Sequence, residues 1–297
     1  MAEEEKKPTG LQLFNRTITN PSTQKYLAEV LGERKGSFVN NLTALVANTA
    51  NLQECEPYTV MFAAMKATAL NLPLDNSLGF AYVIPYKDNK KGITVGQFQI
   101  GYKGLKQLAL RTGQFVTINA TDVREGELIG RNRLTGEVKF NFEEDEAKRA
   151  SLPVIGYVSY FRLINGFEST LYMSKEEMEA HATRYSQTYR SKYESVRSSS
   201  KWSDSFDAMA LKTVCKLNLS KNAPLSVELA DAIKADQSVM RNSAEEYEYI
   251  DNTTRVVDEQ KAAEVAAKFA EFGAPKEVEA EVVSEPKKGV TGEIFKD

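Results

Sequence analysis

The feature that most constrains the fold is a stretch in the first half of the chain whose residue pattern changes period twice. Residues 79–85 and 93–100 alternate as strands do, and residues 87–92 between them contain turn-forming Asp-Asn and Lys-Gly pairs. Helical spacing then begins near Gly101 and stops at Gly113, a residue suited to the left-handed position after a last helical turn. The sequence therefore predicts a β-hairpin followed directly by a helix.

This hairpin and helix combine positive charge with aromatic and amide side chains. The candidate groups are Lys87, Lys90 and Lys91 at the tip, Tyr82, Tyr86, Gln97 and Gln99 on the strands, and Tyr102, Lys103, Lys106 and Arg111 on the helix. Cations that neutralise phosphates, together with rings that stack on bases, are what single-stranded nucleic acid requires. The alternative is an ordinary β-hairpin whose lysines keep its surface solvated.

Length and composition set the frame for this pattern. At 297 residues, with 42% hydrophobic and 27% charged residues, the chain is typical of a soluble globular protein with one large domain or two average ones. It contains no apolar run long enough to span a bilayer, and MAEEEKKPTG lacks the apolar core of a signal peptide, so we expect a cytoplasmic protein. Cys55 and Cys215 belong to no pairing motif and are expected to be reduced, buried thiols.

Charge is distributed unevenly along the chain. The net charge is −3, but the segment from Met240 onward holds 14 acidic residues against 8 basic ones. The middle of the chain is therefore mildly basic, with its cations grouped in a few places. Such a patch is compatible with phosphate binding in a protein whose overall charge is slightly negative.

The same patterns divide the chain into three parts. Residues 1–10 are charged and predicted to be disordered. Residues 11–240 are predicted to form the folded domain. Residues 241–297 are predicted to be an acidic linker, a short alanine-rich helix over 258–272 and a disordered tail, which together are a candidate partner-binding segment.

Within the folded part, helical and strand periods occur in separate groups. Helices are predicted over 18–30, 38–49, 58–70, 174–185 and 205–219, and strands over 115–123, 138–142, 154–163 and 167–173. Asn165-Gly166 is a strong hairpin signal, and Ser174 opens a capping box. The predicted fold class is α+β: a central, mostly antiparallel sheet with a protruding β-hairpin, flanked by helices, and a disordered acidic C-terminal tail.

Further cations follow in the second half of the chain. The candidates there are Arg124 in a charged turn, Arg190 and Lys201 in a serine-rich run that interleaves cations with aromatic rings, and Lys212, Lys216 and Lys221 on the last long helix. Lys212 and Lys216 are four residues apart and so share a helix face. The alternatives are a flexible connector with incidental charge and lysines that satisfy the dipole of a helix C-terminus.

The residues that enzymes of several classes require are missing from the sequence. Its single histidine, His181, lies between two alanines and is expected to be a surface residue. There is no Cys/His set with zinc spacing, no phosphate loop ending in Gly-Lys-Ser/Thr and no scattered carboxylate set of a two-metal nuclease. We therefore expect no active site, no metal and no cofactor.

Several motifs, taken in order, resemble one known family. They are LNLPL at 70–74, LGFAY at 78–82, PY at 85–86, IGYKG at 100–104, LALRTG at 108–113, MALKT at 209–213 after Trp202, KL at 216–217 and APLS at 223–226. In this order they resemble the RecT family of phage single-strand annealing proteins. The match extends roughly from Phe14 to Gln237, and the tail after Met240 lies outside it.

The resemblance implies an ATP-independent recombinase that is not an enzyme. Members of the family coat single-stranded DNA at a resected end, anneal it to a complementary strand in homologous recombination, and form oligomeric rings or helical filaments. They act beside a phage 5′–3′ exonuclease and engage the host single-strand-binding protein. Residues 11–240 would then be the DNA-binding, annealing and oligomerisation domain.

From these residues follows a hypothesis about the DNA path. Neighbouring subunits would align a basic groove made by Lys103, Lys106, Arg111, Lys212 and Lys216, with Arg124 nearby in sequence, and the hairpin would lie against the DNA. Two other classes stay open at this point. A passive single-stranded DNA-binding protein would share the composition without accelerating annealing, and a nuclease would need a carboxylate cluster that the sequence does not display.

Overall fold

The structure is a computed structural model that describes residues 9–242 and 246–250. The predictions for residues 1–8, for the helix over 258–272 and for the tail lie outside the described residues. Within the described ranges, no helix combines the length and the apolar character that crossing a membrane requires.

Twelve α-helices occur in the described part of the chain. They are α1 Gly10–Thr19, α2 Pro21–Leu31, α3 Lys35–Ala47, α4 Ala50–Gln53, α5 Pro57–Ala69, α6 Tyr102–Arg111, α7 Glu146–Ser151, α8 Lys175–Tyr185, α9 Glu194–Arg197, α10 Lys201–Asp204, α11 Phe206–Asn222 and α12 Val227–Ala235. The helix N-caps predicted from the sequence are confirmed. Asn20 caps α2, which has Pro21 in its first turn, and Ser174 forms a complete capping box with Glu177 at the start of α8.

The strands of the described part are β1 Cys55–Glu56, β2 Ala81–Asp88, β3 Ile93–Ile100, β4 Phe115–Arg124, β5 Leu128–Arg131, β6 Val138–Phe140, β7 Val154–Leu163, β8 Glu168–Ser174, β9 Val239–Met240 and β10 Tyr247–Glu248. They form sheets in the orders β1-β3-β2, β4-β7-β8, β5-β6 and β10-β9, and all pairs except β1-β3 are antiparallel. The α+β class is confirmed. Instead of one central sheet, these residues form several small sheets, because α6 separates the hairpin from β4.

The β2–β3 hairpin is fixed closely to the helices beneath and beside it. A Cβ atom at Gly96 would lie 2.8 Å from the Cα of Val60, so β3 packs directly against the backbone of α5. The Gly96 amide also donates a hydrogen bond of 2.8 Å to the hydroxyl of Thr59. At the other end, a Cβ atom at Gly101 would lie 2.0 Å from the Gly79 carbonyl oxygen. Larger residues at these contacts would push the hairpin off its support.

The tip of the hairpin is held by the end of the described chain. Asp88 is buried and accepts from Arg241 at 3.2 Å, and the same guanidinium contacts Glu56 at 2.8 Å and Glu248 at 2.6 Å. Lys91 at the tip also pairs with Glu248, at 3.1 Å. The segment predicted to begin as a linker at residue 241 therefore contributes β10, which pairs with β9 and contacts the hairpin.

Helix α11 covers one face of the sheet β4-β7-β8. It packs across β4, β7 and β8 on one side and contacts α6 and α12 on the other. The main core gathers the N-terminal helices, the hairpin and part of α11, whereas a second core surrounds Tyr157, Met178 and Trp202 between β7, α8 and α11. Because of this position, side chains of α11 can reach both the hairpin and α8.

Candidate nucleic-acid interface

A buried carboxylate joins α11 to the end of the hairpin. Lys212 and Lys216 lie one turn apart on α11, and both ammonium groups pair with Asp236, Lys212 at 3.5 Å and Lys216 in direct contact. The Oδ1 atom of Asp236 also accepts a hydrogen bond of 3.0 Å from the Ile100 amide at the end of β3. The i,i+4 lysines that the sequence singled out therefore lie beside the hairpin, as that hypothesis requires.

The two lysines differ in exposure and in their distance from the carboxylate. The side chain of Lys212 is 11% exposed and that of Lys216 is 24% exposed, and Lys216 makes the closer contact with Asp236. Burial disfavours the charged form of Asp236, but the two ammonium groups outweigh it and hold the pKa of this carboxyl below its usual value. Burial lowers the pKa of Lys212, and Asp236 opposes this shift. With both lysines charged, two cations face one carboxylate, so the cluster carries one excess positive charge.

The imidazole of His181 on α8 lies in the same positive region. Burial, followed by the charges of Lys216, Arg184 and Lys221, lowers the pKa of His181 to about 4. Its ring packs on Tyr185 with centroids 4.5 Å apart. His181 is therefore partly buried instead of being the surface residue expected from the sequence. Its environment brings together cations from α8 and α11.

Helix α6 adds two more cations next to α11. Lys106 lies with its ammonium 5.4 Å from the centroid of the Tyr102 ring. It is close enough to Cys215 of α11 to favour the thiolate, although burial raises the pKa of that thiol to about 11. Lys103 is exposed at the start of the helix. Neither ammonium pairs with a carboxylate among residues 9–242 and 246–250.

On the hairpin, two tyrosines border this region. Lys103 and the Tyr82 hydroxyl both approach Gly79, and the Tyr86 hydroxyl contacts the amide of Gln187 in the loop after α8. The contacts link these elements in pairs: α6 to α11 through Lys106 and Cys215, and α8 to α11 through His181, Lys216 and Lys221. We call the cations of this region the basic face and define it by Lys103, Lys106, Arg184, Lys216 and Lys221.

Three predicted site residues are placed elsewhere in the fold. Arg111 donates to the carbonyl oxygens of Leu70 and Asn71 at 2.8 and 2.9 Å and so closes the turn after α5. Arg124 pairs with Asp122 at 2.8 Å, at the end of β4 opposite to α6. Gln97 is buried, and its amide donates to the backbone of residue 237 at 2.8 Å. These three side chains have structural partners, and the structure does not bring them to the basic face.

The remaining candidates are dispersed around the molecule. Lys201 pairs with Asp204 at 3.0 Å, Arg190 donates to the Arg184 carbonyl oxygen at 3.5 Å, and Gln99 donates to Gln97. Lys87, Lys90 and Lys91 lie at or near the hairpin tip, away from the end of β3 that meets Asp236. Their contact with DNA stays a prediction.

Arg184, a contributor to the basic face, and Asp236, which supports it, are not among the site residues predicted from the sequence. The signal for Arg184 is its spacing of three from His181 on a capped helix. Asp236 carried no local signal, since its partners lie 20 and 24 residues away.

Other chemistry has little support in the described part of the chain. Residues 9–242 and 246–250 contain no group of three or more side chains suited to hold a metal ion. Cys55 and Cys215 are free and buried, as predicted, and burial raises the pKa of Cys55 to about 12. Such thiols are poor nucleophiles at neutral pH.

Comparison with known proteins agrees with the motifs. The model of the RecT family matches residues 36–253. "Uncharacterized protein YqaK" of Bacillus subtilis (strain 168) is 41% identical over 247 residues, which cover 82% of this chain and 80% of that protein. "Protein RecT" of Escherichia coli (strain K12) is 28% identical over 263 residues, which cover 80% of this chain and 87% of that protein. On this evidence the chain belongs to the RecT family.

Proposed function

We propose that this protein binds single-stranded DNA and anneals complementary strands in homologous recombination, without ATP and as an oligomeric ring or helical filament. Family membership supports the class of activity. The observation that carries the proposal is the basic face, where cations of three helices meet beside the hairpin and a single buried carboxylate opposes Lys212 and Lys216.

In this proposal the basic face holds the sugar-phosphate backbone. Lys103, Lys106 and Lys221 have no ion-pair partner in the part of the chain that the structure describes, so a phosphate would not have to displace a carboxylate. Tyr82 and Tyr86 border the face and offer rings to the bases. Lys212 has a structural role: it pairs with Asp236, which accepts a hydrogen bond from the Ile100 amide and so links α11 to the hairpin.

Base pairing supplies the free energy of annealing. Stacking contributes about 1.4 kcal/mol per base-pair step, so the product duplex drives the reaction once two strands are held with their bases accessible. The protein then changes no covalent bond and is not an enzyme. A 5′–3′ exonuclease would supply the resected strand, and a single-strand-binding protein would present it.

The test uses two lysines, Lys106 and Lys221, that form no ion pair among the described residues. In the double variant Lys106→Gln/Lys221→Gln, affinity for a fluorescent single-stranded oligonucleotide should fall. Its salt dependence should also flatten by about two units, because each lost phosphate contact removes roughly one. Lys25→Gln/Lys148→Gln is the control, since both lysines are exposed on other elements and pair with nearby carboxylates, Glu29 and Glu143.

Annealing is measured on the same proteins by mixing complementary labelled oligonucleotides. The double variant should slow strand pairing, whereas the control should match the unmodified protein. An unchanged salt slope would remove the basic face from the DNA path. Tight binding without faster annealing would instead indicate a passive single-stranded DNA-binding protein.

A further inference from the structure

The sheet β4-β7-β8 is covered differently on its two sides. On the inner side α11 packs against the sheet, and the Asn218 amide donates to the Ser159 carbonyl oxygen at 3.1 Å. On the outer side a small hairpin formed by β5 and β6, which we call the arm (residues 128–140), covers Val123, Val158 and Tyr172. The arm covers only one end of the outer side.

The opposite end of this sheet exposes large apolar side chains. Val116 is 51% exposed in β4, and Ile164 is 69% exposed directly after β7. The two lie close together because the Ile164 amide donates to the Gln114 carbonyl oxygen at 2.9 Å. Phe167, 49% exposed, lies in the same turn. We call Val116, Ile164 and Phe167 the apolar end of the sheet.

The arm carries exposed apolar residues of its own. Leu128, Val138 and Phe140 pack onto the sheet, but Ile129 is 66% exposed and Leu134, in the turn of the arm, is 94% exposed. A leucine in this position buries almost none of its side chain within its own subunit. Isolated exposed apolar residues are common, but two such surfaces on one sheet indicate a contact between molecules.

The arm of a subunit cannot cover the apolar end of the same subunit. Eight residue steps of β4 separate Val116 from Arg124, about 26 Å at 3.3 Å per residue. The longer arm strand has four residues and spans only about 13 Å. The arm also points away from the apolar end, since Arg131 lies 4.0 Å from Glu177 beyond the opposite end of β8.

We propose that the arm of one subunit docks through Ile129 and Leu134 onto the apolar end of the next subunit, at Val116 and Ile164. Charge is compatible with this contact. Arg133 beside Leu134 and Glu168 beside Phe167 are both exposed, and neither forms a salt bridge within the described ranges. Glu168 lies opposite Arg162 in the β7–β8 pair and accepts a hydrogen bond from Tyr160. The inference deepens the oligomer of the proposed function by naming the surfaces that join its subunits.

The two surfaces differ and lie at opposite ends of one sheet, so the contact is heterologous. Each subunit offers an arm to one neighbour and receives an arm from the other. Such a contact closes into a ring or continues as a helix, depending on the rotation between subunits.

The experiment is a disulfide cross-link between neighbouring subunits. In the variant Leu134→Cys/Ile164→Cys, mild oxidation with and without an oligonucleotide should yield a ladder of covalent dimers, trimers and higher species on a non-reducing gel. An equimolar mixture of the two single variants should give dimers but no ladder. The native thiols do not interfere, because Cys55 and Cys215 are buried.

The control variant is Leu134→Cys/Val227→Cys, since Val227 is 83% exposed on α12 and lies on neither surface. It should form no ladder. A second variant, Leu134→Glu, should keep its circular dichroism spectrum and shift to smaller species in sedimentation.

A ladder no stronger than that of the control, or unchanged sedimentation of Leu134→Glu, would overturn the docking. Annealing assays on the reduced proteins keep the two ideas separate. Annealing with no ladder would reject this contact and leave the proposed function standing, whereas a ladder with no DNA binding would do the reverse.

Discussion

Two clusters in this protein each pair two basic side chains with carboxylates, but they differ in net charge. In the first, Lys212 and Lys216 share the single carboxylate of Asp236. In the second, Arg124 and Arg149 face two carboxylates, Asp122 and Glu127. The first cluster retains positive charge beside the hairpin, whereas the second is neutral. What marks a candidate phosphate site is therefore the charge left over after pairing, and not the number of cations.

The burial and hydrogen bonds of the second cluster indicate a structural role. Glu127 is 1% exposed and accepts from the Arg124 amide and from the Arg149 side chain, both at 2.7 Å. Burial would raise the pKa of Glu127, but these hydrogen bonds lower it overall. Arg149 also donates to the Asp122 carbonyl oxygen at 2.8 Å, so the cluster closes the base of the arm.

The largest expected effect comes from the unbalanced cluster. Asp236→Ala leaves two largely buried ammonium groups without a counter-ion and detaches α11 from β3. We expect a loss of about 3–5 kcal/mol in the free energy of unfolding, measured by urea denaturation. Asp204→Ala is the control, because its partner Lys201 is exposed and the pair should contribute less than about 1 kcal/mol. A loss of stability no larger than that of the control would mean that the ion pairs of Asp236 do not hold α11 against β3.

The balanced cluster should show a smaller loss of stability and no effect on DNA. Glu127→Gln keeps the shape of the side chain but weakens its hydrogen bonds to Arg149 and to the Arg124 amide, so we expect a cost of about 1–3 kcal/mol. The salt dependence of oligonucleotide binding should stay as in the unmodified protein. A flatter slope in this variant would mean that the Glu127 cluster also contributes to DNA binding.

The smallest expected effect is a pH dependence from His181. Its folded pKa of about 4 lies below the value of about 6.5 for an unfolded chain, so the unfolded state takes up the proton first. Stability contributed by the neutral imidazole is therefore present above pH 6.5 and declines as pH falls toward 4, by about 1 kcal/mol after allowance for partial exposure. His181→Gln should lose this part of the decline in pH-dependent urea titrations.

His181 also reports on the basic face directly. It is the single histidine of the chain, so its imidazole proton signals in an NMR titration need no assignment. An oligonucleotide bound at Lys216 and Lys221 should raise the pKa of His181, because phosphates offset the neighbouring cations. A pKa that stays unchanged on binding would place the DNA elsewhere.

Local patterns predicted the local structure well. The hairpin strands, the Asn165-Gly166 turn and the end of α6 follow from alternation and turn chemistry, and Gly113 and Gly166 have φ of +68° and +85°. Helices α1, α4, α7, α9, α10 and α12 were not predicted. All are short, and α12 buries only three small or medium side chains, Leu229, Ala232 and Ala235, so its helical period is weak.

The candidate site was harder to predict because its contacts are remote in sequence. The spacing of Lys212 and Lys216 fixed their shared face but not their partner, which comes from the end of α12. The same holds for Lys66, which lies in an apolar helix and is buried against Asp231 at 2.6 Å. A lysine within a helical pattern can be a surface cation or half of a buried pair, and only tertiary structure distinguishes the two.

The glycine contacts under the hairpin have a consequence for how DNA is accommodated. Gly96 against α5 and Gly101 against Gly79 pack the hairpin closely onto the backbone of the neighbouring elements. In the oligomer that we propose, the hairpin would recur once per subunit at a fixed interval. DNA bound along that oligomer would adapt its backbone to this interval, so its bases would be offered for pairing in equal groups whose length is set by the subunit repeat.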